Sequence, residues 1–339
     1  MRPDEALAEA ARAGIHRLQI PTPFAVGRVN CYLLEDDPLT LIDTGPNSGK
    51  ALDDLEQGLA ARGRSIEDLE LVIITHQHID HLGLVEIIAK RSGAQVAALG
   101  LAARRLANFA DDAELDDRFS ADLMLRSGIP ENVVIALRGV SRSFRAWGSH
   151  AYVTRPLADG ETLELRDRKL QVFHRPGHSP SDTIFWDADR QILIAGDHLL
   201  AHISSNPLIT RALDGSAQRT HALAAYLDSL AKTRAMPARI VLSGHGEPIT
   251  NHAELIDSRI KLTARRKAKI MGLISDQPRS GHEIAQELWG DVAVTQAFLT
   301  LSEVIGHVDL LMDEGLVTEV EADGVVRYLP ATAAGIGQD

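Results

Sequence analysis

Hydrophobic and polar positions change rhythm several times along the chain. Residues 15–34 read as extended segments broken by Pro21 and Pro23, followed by a turn at Asp36-Asp37-Pro38. Leu39-Thr40-Leu41-Ile42 is a short apolar run ending in Asp43-Thr44-Gly45-Pro46, which predicts a strand running into a loop. Leu52, Leu55 and Leu59, spaced three and four apart, predict a helix over about residues 50–62. A buried strand over 69–75 and a helix over 82–91 follow, and this alternation is an α/β signature. From 101 to 149 the pattern turns helical, with charged runs and with Phe109, Phe119, Phe144 and Trp147, so the stretch reads as a helical insertion. Strand-like runs resume at 163–165, 170–173, 183–186 and 191–195. A helix over about 219–232 and a last strand at 239–242 then lead to a Gly-rich turn.

Beyond residue 258 the rhythm differs again. A basic helix runs through Lys269, with further helices at 282–288 and about 301–313. Residues 315–320 and 325–329, separated by Asp323-Gly324, predict a hairpin. Helices followed by a two-stranded hairpin form a winged-helix type of module, so the expected domains are 1–258 and 259–339.

At 339 residues the chain suits one large domain and a small one, and 45% hydrophobic residues suffice for packed cores. The net charge of −12 argues against nucleic acid or an anionic membrane as the main partner. Cys31 is the only cysteine, so no internal disulfide can form, and its apolar run marks it as a buried strand residue. The opening Met1-Arg2-Pro3-Asp4-Glu5 has neither signal-peptide nor transit-peptide character, and no window approaches a membrane helix. The expectation is a cytoplasmic protein.

The chemistry concentrates in Thr75-His76-Gln77-His78-Ile79-Asp80-His81, directly after a predicted strand. Three imidazoles and a carboxylate within six positions of one loop can aim several ligands at one small volume. Three later positions share that placement at a strand's carboxyl end beside glycine. They are His178 in Pro176-Gly177-His178-Ser179-Pro180, Asp197 after Gly196, and His245 in Ser243-Gly244-His245-Gly246-Glu247. His198 and His202 follow Asp197 closely, where substrate-facing, loop and core roles all stay open. His174 reads as a strand residue, and His150, His221, His252, His282 and His307 as surface or core histidines.

The pattern H-x-H-x-D-H met by His76, His78, Asp80 and His81, with His178, Asp197 and His245 in order and the Asp43-Thr44-Gly45 turn upstream, resembles the metallo-β-lactamase superfamily. The resemblance covers about residues 15–258. It implies a four-layer α/β/β/α sandwich with a dinuclear site at one edge: His76, His78 and His178 on one metal, Asp80, His81 and His245 on the other, Asp197 bridging both. Asp80 and Asp197 are the candidate catalytic residues, and a hydroxide between the ions is the implied nucleophile. Zinc is the default from His and Asp ligation, with manganese and iron as alternatives. Asp43 is expected to orient a ligand imidazole through its ring N–H, against a plain capping or turn role.

The superfamily hosts many chemistries, so the fold alone does not choose the substrate. True β-lactamases commonly carry Cys at the position of Asp197, which argues against a lactam. The tail resembles the lactamase-β-like branch, some members of which cleave single-stranded RNA. From His282 to Leu329, however, the only Lys or Arg is Arg327, against ten Asp and Glu. The module is therefore expected to serve packing, a homodimer contact or pocket shaping rather than nucleic-acid binding. A pocket roofed by the insertion suits a compact acyl substrate. The expected activity is metal-dependent hydrolysis of a small thioester, lactone or other carboxylic ester. A single-strand-specific RNA endonuclease is the alternative, followed by an iron-dependent sulfur dioxygenase or a winged-helix binding protein with a structural metal.

Overall fold

In the computed structural model, which describes residues 1–214 and 218–331, strand residues 29–34 are buried throughout and send alternate side chains into two different cores. Side chains alternate across a strand, so such a strand must lie inside a layered structure. Along the chain the elements are α1 (Pro3–Arg12), β1 (Ile15–Ile20), β2 (Val29–Leu34), β3 (Thr40–Ile42), α2 (Gly49–Ala60), β4 (Leu71–Ile73), α3 (Ile79–Leu82), α4 (Val85–Ser92) and β5 (Gln95–Leu99). Next come α5 (Ala103–Ala107), α6 (Phe109–Arg126), α7 (Glu131–Phe144), β6 (Arg155–Leu157), β7 (Thr162–Glu164), β8 (Lys169–His174), β9 (Thr183–Asp187) and β10 (Ile192–Gly196). These are followed by α8 (Ala222–Arg234), β11 (Ile240–Ser243), α9 (His252–Ile274), β12 (Arg279–Ser280), α10 (Gly281–Trp289), α11 (Val292–Thr295), α12 (Ala297–Asp313), β13 (Val317–Ala322) and β14 (Val325–Pro330).

One sheet has the order β1-β2-β3-β4-β5-β6 and a second β11-β10-β9-β8-β7. Between them lies an inner core in which Leu34, Ile42 and Ile73 meet Val172, Phe185, Ile194 and Leu242. Val29, Cys31 and Leu33 point outward, against Leu55 and Leu59 of α2 and Ile88 of α4. On the far side Trp186 and Leu193 pack under Tyr226 and Leu230 of α8 and Ile256 of α9. The layers are thus α/β/β/α, the fold expected from the sequence.

Several elements escaped the apolar pattern, the short β12 and α11 among them. Helix α1 buries only Ala6 and Ala10, too small a stripe to stand out. Strand β5 is Gln95-Val96-Ala97-Ala98-Leu99, whose alanines carry little strand preference. Strand β6 contains Pro156, tolerated because β6 closes the edge of its sheet.

The expected boundary at 258 falls inside a single helix. Helix α9 gives Ile256 to the core under the second sheet, and Ile270 and Ile274 to a separate C-terminal core with Ile284, Val304, Val308 and Val326. Around that core β12, β14 and β13 form a small sheet, and the β13–β14 turn at Asp323-Gly324 has both residues in the left-handed region (φ 55° and 75°). Ser280 caps α10 reciprocally: its Oγ accepts from Glu283 N at 3.2 Å, and Glu283 Oε2 accepts from Ser280 N at 2.7 Å. Ser280→Ala is expected to lower unfolding free energy by about 1 kcal/mol, read from urea titration.

Helices α6 and α7 do not pack only on the sandwich. Their Ala121, Met124 and Val134 share a core with Leu301 and Ile305 of α12 and with Ile209. Insertion and C-terminal module therefore meet as one roof.

Candidate metal centre

Each functional side chain sits where a strand ends. Residues 76–81 span the loop after β4 and the single turn of α3, with His78 at its N-cap and Asp80 and His81 inside it. His178 lies in the turn after β8, Asp197 directly follows β10, and His245 lies two residues past β11. The strand ends of both sheets open at one edge, and all the residues predicted for the site (His76, His78, Asp80, His81, His178, Asp197 and His245) meet there.

The geometry is tight. His78 Nδ1 lies 3.0 Å from His76 Nε2 and 2.9 Å from His178 Nε2. Beside this trio, His245 Nε2 is 3.3 Å from Asp80 Oδ2. Asp197 sits between, with Oδ1 3.4 Å from His81 Nε2, and Oδ2 3.5 Å from His245 Nε2 and 3.7 Å from His178 Nε2. Three sets of donor atoms lie mutually within 4.8 Å: His76, His78 and His178; His76, His81 and Asp197; Asp80, His81 and His245.

In His76, His81, His178 and His245 the remaining ring nitrogen is tied down, which fixes tautomer and aim. His178 Nδ1–H donates to Asn206 O (3.1 Å), and His245 Nδ1–H to Arg28 O (2.9 Å). His81 Nδ1–H donates to Asp43 Oδ2 (2.8 Å). His76 Nδ1–H donates to Thr75 Oγ1 (3.0 Å), which itself donates to Asp43 Oδ2 (2.8 Å). Asp43 thus orients one imidazole directly and another through a hydroxyl.

What these bonds leave free points inward. His81 Nε2, His245 Nε2 and Asp197 Oδ1 are buried without a hydrogen-bond partner, an arrangement that costs free energy unless something else satisfies them. Burial holds His76 well below its ordinary pKa, reinforced by His81, and takes His78 to about 3, reinforced by His178. Around Asp197 the signs reverse. Burial opposes charge, but His245 and His81 hold its carboxyl well below the usual range; His81, also opposed by burial, is raised by Asp197 and Asp43. His78 Nδ1 lies about 3 Å from both His76 Nε2 and His178 Nε2, and a cation at the focus of the three nitrogens would draw on lone pairs that otherwise crowd one another. The imidazole trio beside a mixed carboxylate–imidazole set fits divalent metal ions.

Gly244 explains how Asp197 reaches this position. A Cβ on residue 244 would fall 2.2 Å from Asp197 Oδ1 and 2.8 Å from His81 Cε1, so a side chain there would displace the carboxylate. Thr75 and Asn206 were not legible in advance: a threonine at a strand end and an asparagine in a long loop carry no signal of their own. His198 is a core residue, fully buried with Nε2 2.8 Å from Thr233 Oγ1 and its pKa taken to about 3 by burial. His202 is exposed.

The centre forms the floor of a cavity of about 1120 Å³. Phe109, Phe119 and Phe144 of the insertion line it, as do Trp289, Phe298 and Leu299 of the C-terminal module. Trp147 lies elsewhere, with its carbonyl accepting from Asn47 N.

Comparison with known proteins agrees with this geometry. Residues 25–245 match the profile of the metallo-β-lactamase superfamily. The chain is 32% identical over 313 residues to "Probable metallo-hydrolase YqjP" of Bacillus subtilis, covering 92% of this chain and 96% of that one. A metallo-β-lactamase family protein of Thermus thermophilus superposes with a TM-score of 0.77 at 27% identity, covering 94% of this chain and 98% of that one. Over a shorter span the chain is 30% identical to the bovine "Acyl-coenzyme A thioesterase MBLAC2", covering 50% of this chain and 58% of that protein. The protein belongs to the metallo-β-lactamase superfamily and is one of its metal-dependent hydrolases.

Proposed function

We propose that the protein hydrolyses a carboxylic thioester, ester or lactone. His76, His78 and His178 would hold one divalent ion, Asp80, His81 and His245 a second, and Asp197 would face both. Zinc is the first choice, manganese and iron the alternatives. The observation that carries this reading is the convergence of these side chains, with unpartnered atoms facing inward, at the floor of a largely apolar cavity. Bound there, divalent ions supply Lewis acidity toward a carbonyl oxygen and lower the pKa of water.

The chain's own contribution is positioning. Asp43, Thr75, Asn206 and the Arg28 carbonyl fix the imidazoles. The apolar walls hold an acyl group over the centre and exclude bulk water. Asp80 and Asp197, the carboxylates of the floor, can take up the proton released when water attacks. The thioesterase names of relatives favour a thioester within this class. The arginines of the wall are already paired, Arg105 with Asp116, Arg145 with Asp117 and Arg266 with Glu303, which leaves little to bind a phosphodiester chain. Among the described residues no helix is long and apolar enough to cross a membrane.

The test is metal removal. Protein stripped by a chelator is expected to lose turnover of acyl thioesters, and zinc, manganese or iron(II) to restore it. Turnover that survives complete stripping, or cleavage confined to a single-stranded RNA oligomer, would sink the proposal.

A further inference from the structure

Five large apolar side chains stand open to solvent around the cavity, and they come from five separate segments. Val26 lies in the β1–β2 loop (37% exposed), Phe144 ends α7 (38%), Ile203 follows β10 (48%), Val292 starts α11 (44%) and Leu299 lies in α12 (38%). Single exposed hydrophobic residues are ordinary, but five lining one hollow call for a ligand. Beside them, half-buried Phe24 meets Phe144 edge to face at 5.4 Å. The wall's charges are spent on one another: Arg105 on Asp116, Arg145 on Asp117, Arg266 on Glu303. At about 1120 Å³ the space matches the largest small-molecule sites and exceeds what a short acyl group or simple lactone fills.

We propose that this chamber binds the hydrocarbon chain of the acyl group, so that the protein is selective for thioesters and esters of medium- to long-chain fatty acids, with Val292 and Leu299 of the C-terminal module as specificity-determining residues. The inference rests on the hydrolytic reading above and replaces the small acyl substrate expected from sequence by a bulky one. It also gives the C-terminal module a role, since α11 and α12 supply one wall of the chamber and the insertion supplies the other. The module stays in place because Met124 and Val134 of the insertion pack on its Leu301 and Ile305, and because Asn206 Nδ2 donates to Leu299 O at 3.0 Å. That bond links the wall to the centre, since the carbonyl of Asn206 accepts from His178.

The experiment compares N-acetylcysteamine thioesters of acetyl, butyryl, octanoyl and dodecanoyl groups on metal-loaded protein. In parallel, calorimetry follows binding of the uncleavable S-ethyl and S-octyl thioethers. Each fully buried methylene is worth about fourfold, so kcat/KM should rise at least about tenfold from butyryl to octanoyl. Leu299→Trp and Val292→Trp, at exposed positions that tolerate bulk, should each cut the octanoyl-to-butyryl ratio about tenfold. A flat chain-length profile, or a ratio untouched in both variants, overturns the chamber while leaving the hydrolase intact. If no thioester is cleaved, tighter binding of the octyl than the ethyl thioether, lost in Leu299→Trp, upholds the chamber and overturns the choice of a thioester as substrate. Equal binding of the two thioethers overturns the chamber.

Discussion

Asp197→Asn protein should fold normally yet lose hydrolytic turnover by at least about a hundredfold, and lose part of its bound metal with it. The carboxylate lies 3.4 to 3.7 Å from the free nitrogens of His81, His245 and His178, so it addresses both halves of the centre. Were two cations held there as proposed, they would need a shared anion to offset their repulsion, and an amide of the same shape carries no charge to offer. Losing an outer partner of a metal ligand already costs about 10–100-fold in affinity or activity, and loss of a directly facing carboxylate should exceed that. Atomic absorption after dialysis would give the metal content, and kcat/KM on an acyl thioester the activity. Full metal content with turnover within about twofold of the parent would remove Asp197 from the centre.

Asp43→Ala should instead strike stability and metal affinity together. Asp43 is 2% exposed and accepts three hydrogen bonds, from Thr75 N (2.9 Å), Thr75 Oγ1 (2.8 Å) and His81 Nδ1 (2.8 Å). Alanine leaves all three donors buried without a partner, each at about 1–3 kcal/mol. Residue 43 also has φ 59°, a left-handed conformation that Asp tolerates better than Ala. Breaking a buried charged contact of this kind costs about 3–5 kcal/mol, and that is the expected drop in unfolding free energy, measured by urea titration of the metal-free protein. Metal affinity should fall about 10–100-fold, because His81 loses its direct anchor and His76 its relayed one. Asp43→Asn keeps the shape and the backbone preference, so it should lose less stability than alanine. A stability change below about 1 kcal/mol for the alanine variant would show that another group holds these imidazoles.

The centre was legible in the sequence because its ligands obey local rules. His76, His78, Asp80 and His81 follow one strand within six positions, and His178, Asp197 and His245 each follow another strand beside a glycine. A short apolar run ending in Gly and a polar ligand is a pattern that neighbours in sequence create without help from distant ones. The α/β alternation was legible for the same reason, since β2, β3 and β10 are short apolar runs and α2 carries leucines three and four apart, while the four-layer arrangement came from the family resemblance. Where the local signal is weak, the pattern was silent: β5 rests on alanines and β6 on an edge proline.

The network that aims the ligands lay outside that reach. Only Asp43 was foreseen in it, through the Asp-Thr-Gly turn. Thr75, Asn206 and the carbonyl of Arg28 become partners because separate segments are brought together in space. The same holds for the cavity. Phe144, Ile203, Val292 and Leu299 are scattered across some 155 positions of sequence, 299 − 144, and nothing in their local surroundings says that they face one hollow. The α/β alternation and the set of residues gathered at its open edge were written in the order of amino acids, because apolar runs, helical spacing and strand-end placement are local physical constraints, and the four-layer arrangement followed from the family resemblance that those residues carry. How those residues are held and what stands over them came from the folded molecule alone, because orientation and enclosure depend on contacts between segments far apart in the chain.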